Sequence, residues 1–144
     1  MIDLLLINKT SHRLPRKFIN QWFVLIEKEL QRRRILSVKS KSLTVVFLPK
    51  AAAKKINLQF RGKDYATDVL SFVSEDKDSW GELILCTDVI RRQAKEHGLT
   101  LQQELGYMLL HGFLHLLGYE HEKSPKQAVI MFALQDDIFN KLMG

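Results

Sequence analysis

The chain has 144 residues, 46% hydrophobic and 26% charged, with 7 Gly and 3 Pro, the size and make-up of one folded domain spanning 1–144, which excludes a disordered or low-complexity chain. No stretch reaches the roughly 20 apolar residues of a membrane span, Met1 to Lys9 lacks the positive start and cleavage site of a secretory signal, and the lone Cys86 excludes an internal disulfide, so a cytoplasmic protein is expected. The 22 basic against 16 acidic residues leave a net charge of +6, which favours an anionic partner by long-range steering.

Ile2 to Asn8 is a short apolar run bounded by polar residues and reads as a strand. Pro15 suits a first helical position. Behind it Phe18, Ile19, Trp22, Phe23, Ile26 and Leu30 recur at helical spacing, so one face of a helix is buried. Arg32, Arg33 and Arg34 close that helix where its dipole is negative. Leu43 to Leu48 is apolar and rich in β-branched residues, a second strand. Pro49 opens a helix carrying Ala52, Ala53, Ile56 and Leu58, and Gly62 breaks it, leaving Phe60 to Tyr65 as a polar loop. Val69 to Val73 and Leu83 to Cys86 read as two more strands, joined by an acidic loop from Ser74 to Ser79. Thr87 or Asp88 can cap a helix that runs to about His97 and stops at Gly98. Thr100 and Gln103 form a capping box for a largely apolar helix from Leu101 to Leu117, ended by Gly118. Ser124, Pro125 and Gln127 start a last helix, with Val129, Ile130, Phe132, Ala133, Ile138 and Leu142 as its apolar positions. The mixture points to one sheet with helices packed on it, in an order the sequence does not reveal.

From 111 to 121 the chain reads His-Gly-Phe-Leu-His-Leu-Leu-Gly-Tyr-Glu-His. His111 and His115 are four apart, so on a helix they share a face one turn apart. Gly118 permits a left-handed backbone that turns the chain, and His121 can return to supply a third nitrogen. Three neutral imidazoles leave a fourth position open, as catalytic zinc sites do. One histidine on an apolar helix is usually a satisfied core residue. With 5 His and 7 Gly in 144 residues, however, chance places this pattern somewhere in only about 3 chains in 10,000, so the metal reading prevails. A closed structural site needs a fourth ligand, for which Cys86 and Glu120 are the candidates. Cys86 suits strand packing, and Glu120 adjoins His121 too closely to share an ion with it. Zinc proteases share the spacing but carry glutamate after the first histidine as general base. Here that residue is Gly112, which disfavours peptide hydrolysis and is expected to leave room beside the metal. Basic residues cluster at Arg13/Arg16/Lys17, Arg32 to Arg34, Lys39/Lys41, Lys50/Lys54/Lys55 and Arg61/Lys63, and each cluster also fits a solvated face.

These residues carry a resemblance. His111-Gly-x-Leu-His115-Leu-x-Gly118-Tyr119-x-His121 resembles the signature of the YbeY family, bacterial metal-dependent endoribonucleases of ribosomal RNA maturation. Phe60-Arg61-Gly62-Lys63-Asp64-x-x-Thr67-Asp68-Val69-Leu70-Ser71-Phe72 and Gly81-Glu82-Leu83-Ile84-Leu85-Cys86 are similar to two further segments of that family. Glu82 and Glu120 stand where the family usually has Asp, and Ala66 and Val73 where it has Pro; none is a metal ligand. The resemblance implies an α+β domain, a small mixed sheet with about five helices on it. It also implies a zinc ion on His111, His115 and His121, with Arg61 and His111 catalytic. Its implied substrate is single-stranded RNA, its setting the maturation of the small-subunit ribosomal RNA 3′ end and ribosome quality control, and its partners the ribosome or ribosome-assembly proteins. An RNA-binding module with structural zinc and a protease-like hydrolase are the alternatives. For Arg61 the bland role is a salt bridge to Asp64 or Asp68.

Overall fold

Successive side chains of a strand point to opposite sides of the sheet, and a strand apolar on both sides must be covered on both. The central strands here are of that kind. The computed structural model describes residues 1–143 and contains, in order, β1 (Ile2–Asn8), α1 (Arg16–Arg32), β2 (Lys41–Leu48), α2 (Lys50–Arg61), β3 (Val69–Val73), β4 (Ser79–Cys86), α3 (Thr87–His97), α4 (Leu101–Leu116) and α5 (Pro125–Met143). The sheet order is β1-β2-β4-β3. β1 and β4 run parallel to β2, and β3 runs antiparallel to β4 at the sheet's edge. This is the expected α+β class, a mixed sheet with five helices.

Leu43, Val45 and Phe47 of β2, with Leu83 and Leu85 of β4, face a large core shared with α1, α4 and α5. Val46, Leu48 and Cys86 point the other way, into a smaller core closed by Ala53 of α2 and Val89 of α3. α4 is the hub of the larger core: Leu109, Leu110, Phe113 and Leu114 are wholly buried, each burial being worth roughly 1.5–3 kcal/mol. Its start is fixed locally, Thr100 Oγ1 accepting from the Gln103 amide at 3.1 Å and Gln103 Oε1 from the Thr100 amide at 2.9 Å.

α4 also approaches its neighbours closely where it has no side chain. Trp22 Nε1 of α1 donates to the Gly106 carbonyl at 2.9 Å. At Gly112 an added Cβ would lie 2.9 Å from Leu83 Cδ2 and 3.1 Å from Val69 Cγ2. The room expected beside the metal at Gly112 is therefore absent: that glycine lets helix and sheet meet.

Several boundaries differ from expectation. Pro15 and Pro49 occupy the N-cap positions, one residue before their helices. Phe60 and Arg61 belong to the last turn of α2, which ends at Gly62 in a left-handed conformation, rather than to a loop. β4 begins at Ser79, earlier than its apolar residues suggest. Neither Thr87 nor Asp88 caps α3, since both lie within it and no side-chain cap forms. α5 buries Met131, Gln135 and Ile138, while Val129 and Ile130 are exposed.

Candidate metal centre and active cleft

α4 brings His111 and His115 onto one face with their ring centroids 4.7 Å apart. Gly118, at φ 102°, turns the chain, and the Tyr119 carbonyl accepts from His115 Nδ1 at 2.8 Å. The turn returns His121 to within 5.0 Å of the His111 ring and 4.8 Å of the His115 ring. Each of the three offers a nitrogen within 4.8 Å of the others.

The outer hydrogen bonds select the tautomers. Gln135, wholly buried on α5, accepts from His111 Nδ1 at 2.9 Å and donates its amide to the Tyr107 carbonyl at 3.4 Å. With both Nδ1 atoms acting as donors, the Nε2 lone pairs of His111 and His115 face each other at 3.2 Å. A cation satisfies such a pair, and outer partners of this kind orient metal-binding imidazoles. His121 Nδ1 is buried without a hydrogen-bond partner, a polar atom that an ion would satisfy. Burial holds the His111 pKa below its ordinary value despite the Gln135 bond, and burial with the two neighbouring imidazoles lowers that of His115. Both shifts favour the neutral, metal-ligating form. An all-imidazole set of three fits zinc with an open position.

Around the histidines lies a cleft of about 650 Å³ at the free edge of the sheet. β3 forms one wall, and the end of α2, packed on the opposite face of the sheet, delivers Phe60 and Arg61. Arg61 Nη2 donates to both carboxylate oxygens of Glu122, at 3.2 and 3.4 Å. Asp64 and Asp68 are not its partners: Asp64 pairs with Lys54 at 3.6 Å, and Asp68 accepts from the Val69 amide at 2.7 Å. Phe132 stacks on His111 at 6.0 Å and meets the edge of His121 at 5.5 Å.

Other expected residues lie elsewhere. Cys86 faces the smaller core across the sheet and is no fourth ligand. Glu120 approaches His115 Nδ1 only to 3.8 Å. The two histidines outside the three-histidine pattern have other partners: His97 bonds the buried Glu104, and His12 pairs with Asp88 at 3.4 Å. Of the basic clusters only Arg61 and Lys63 line the cleft. Arg32 and Arg33 bind the buried Glu29 at 2.6 and 2.8 Å, as does Lys141 at 3.0 Å, and these cations hold that carboxyl well below the usual carboxylate range. Sequence reasoning missed Gln135, Glu122 and Asn57. The wholly buried Asn57 donates to the Tyr65 carbonyl at 2.8 Å and so fixes the loop after α2; its placement among apolar helix positions was the available signal.

An α+β fold that gathers three imidazoles and an arginine at a sheet edge defines a class of metal-ready cleft proteins. The family model described as Endoribonuclease YbeY matches residues 6–143. The chain belongs to the YbeY endoribonuclease family. It is 56% identical to the endoribonuclease YbeY of Bdellovibrio bacteriovorus over 99% of this chain and 96% of that one. It is 36% identical to the Persephonella marina protein of the same name, over 96% and 92% of the two chains. A solution structure of a Thermotoga maritima protein superposes with a TM-score of 0.66 at 29% identity, covering 96% of this chain and 87% of that one.

Proposed function

We propose that residues 1–144 act as one metal-dependent endoribonuclease domain that cuts unpaired RNA, with zinc held by His111, His115 and His121. The observation that carries this reading is the convergence of three imidazole nitrogens, two with tautomers set by outer bonds, in the cleft that holds Arg61 and Lys63. When bound, such an ion supplies Lewis acidity to a phosphoryl oxygen and makes water a better nucleophile. His111, His115 and His121 would hold that ion, with the Nδ1 bonds of His111 and His115 keeping their Nε2 atoms turned to it. Arg61 exchanges its Glu122 partner for a phosphate oxygen and neutralises charge that grows in the transition state. The exchange costs little, because an exposed ion pair contributes only about 0–1 kcal/mol. The endoribonuclease relatives and the net charge of +6 support RNA as the polyanion. Membership of the family supports the finer assignment: maturation of the small-subunit ribosomal RNA 3′ end, ribosome quality control, and the ribosome or its assembly proteins as partners. It also supports a cytoplasmic setting; among the described residues no helix is long and apolar enough to cross a membrane.

One observation favours peptide hydrolysis: an extended peptide can pair with an edge strand, and β3 is one. Against it, the position of the protease glutamate is Gly112, so the general base is missing, and its close packing on Leu83 and Val69 leaves a larger side chain no space there. Replacing His111, His115 or His121 with Ala should each strip most of the metal from the purified protein. Arg61→Ala should keep fold and metal but lose roughly 10²–10³ in RNA cleavage rate. Full metal content in the histidine variants, or normal cleavage by Arg61→Ala, would contradict these assignments.

A further inference from the structure

Of the chain's 8 Phe, 2 Trp and 3 Tyr, three are exposed among the described residues: Phe60 at 60%, Tyr65 at 53% and Phe132 at 37%. All three line the histidine cleft. Aromatic side chains are worth most when buried, so their collection in one polar cleft calls for a ligand with flat apolar faces. Phe132 already packs on two of the histidines. Phe60 and Tyr65 are free to meet a ligand, and both are held in advance. The Phe60 ring is braced by Phe72 at 5.3 Å and 70°, and Asn57 anchors the Tyr65 backbone. Preorganised rings lose little conformational entropy on binding. Arg61 and Lys63 lie between these two aromatics in the chain. Aromatic faces interleaved with cations are the means by which unpaired nucleotides are held, bases on the rings and phosphates on the charges.

We propose that Phe60 and Tyr65 form a base-stacking platform that seats an unpaired nucleotide beside Arg61 and makes the cleft selective for single strands. This rests on RNA as the substrate. A duplex covers the faces of its bases and gains nothing from the platform, so the same two residues would set affinity and strand selectivity together.

The test uses the zinc-loaded protein and a single-stranded 2′-O-methyl RNA of about a dozen nucleotides carrying one 2-aminopurine, whose fluorescence is quenched on stacking. Phe60→Ala should bind roughly 5- to 150-fold more weakly and lose the quenching, with metal content and melting temperature unchanged. Its dependence of affinity on salt should keep the slope of the unmodified protein, because the phosphate contacts survive. Phe60→Leu, which retains apolar bulk against Phe72, should lose affinity similarly, and Phe60→Trp should retain it. If the unmodified protein binds the oligomer and Phe60→Ala binds it equally, the platform is wrong while the RNA reading stands. If Phe60→Leu binds like the unmodified protein, bulk rather than stacking is at work and the platform is again wrong. If the unmodified zinc-loaded protein binds no RNA, that reading fails and the platform with it.

Discussion

Gln135 shows how one side chain can set the chemistry of another. Its carbonyl accepts a hydrogen bond from the His111 Nδ1–H while its amide is tied to the Tyr107 backbone, so the amide orientation and the imidazole tautomer are fixed together. Gln135→Leu should therefore lower zinc affinity about 10- to 100-fold without removing a ligand, read by competition against a chelating dye. Unchanged affinity would show that His111 needs no such support. The three histidines were legible in the sequence because their spacing is a local fact: one helical turn, then a glycine turn. Gln135 and Glu122 were not. A glutamine among apolar positions of α5 reads as a solvent-facing residue until the helix is docked on α4, and the Arg61–Glu122 pair joins residues far apart in sequence. Only the assembled fold decides that Glu122, and neither Asp64 nor Asp68, neutralises Arg61 at rest.

Among the elements, α4 was the most legible, since a capping box at Thr100 and a glycine turn at its end mark it from within. α5 was misread on its apolar side. Met131, Gln135 and Ile138 share the buried face at helical spacing, but the polar middle residue hid the stripe and shifted attention to Val129 and Ile130. The order of the strands was not legible because β2 pairs with β4 across an intervening helix and strand, and similar apolar runs fit other orders equally well. Gly112 illustrates the same limit: its role depends on which strands α4 lies against. Gly112→Ala should destabilise the fold by about 1–3 kcal/mol through overpacking. The new methyl would meet Leu83 Cδ2 at 2.9 Å, Val69 Cγ2 at 3.1 Å and Ser71 Oγ at 3.3 Å, and the last two residues line the cleft. An unchanged melting temperature would mean that α4 and the sheet can separate more easily than their packing implies.

Across the molecule, the positive charge is less available than the sequence suggests. The Arg32 and Arg33 pair is tied to Glu29, and Arg33 also binds Asp137 at 2.5 Å, which leaves Arg61 and Lys63 as the cations of the cleft. Acid should act on the metal-free protein through its histidines. His111 and His115 have folded-state pKa values lowered from 6.5, so between the lowered values and 6.5 the unfolded chain binds more protons than the folded one. Their contribution to stability is thus complete above that window and falls as pH drops through it. The melting temperature of the chelated protein should decline from about pH 7 to about pH 5, and a rise over that range would contradict the burial of these imidazoles in neutral form. The central claim is that the three-histidine cleft cuts RNA with a bound metal. Its most direct test is the rate at which one preparation cleaves an unpaired RNA as purified, after chelation and after zinc is restored, with a fully paired duplex and casein as parallel substrates. The expected result is cleavage of the unpaired strand that vanishes on chelation and returns with zinc, slow attack on the duplex, and intact casein. Equal RNA cleavage by the verified metal-free protein, or zinc-dependent loss of casein with the RNA left whole, would contradict the account.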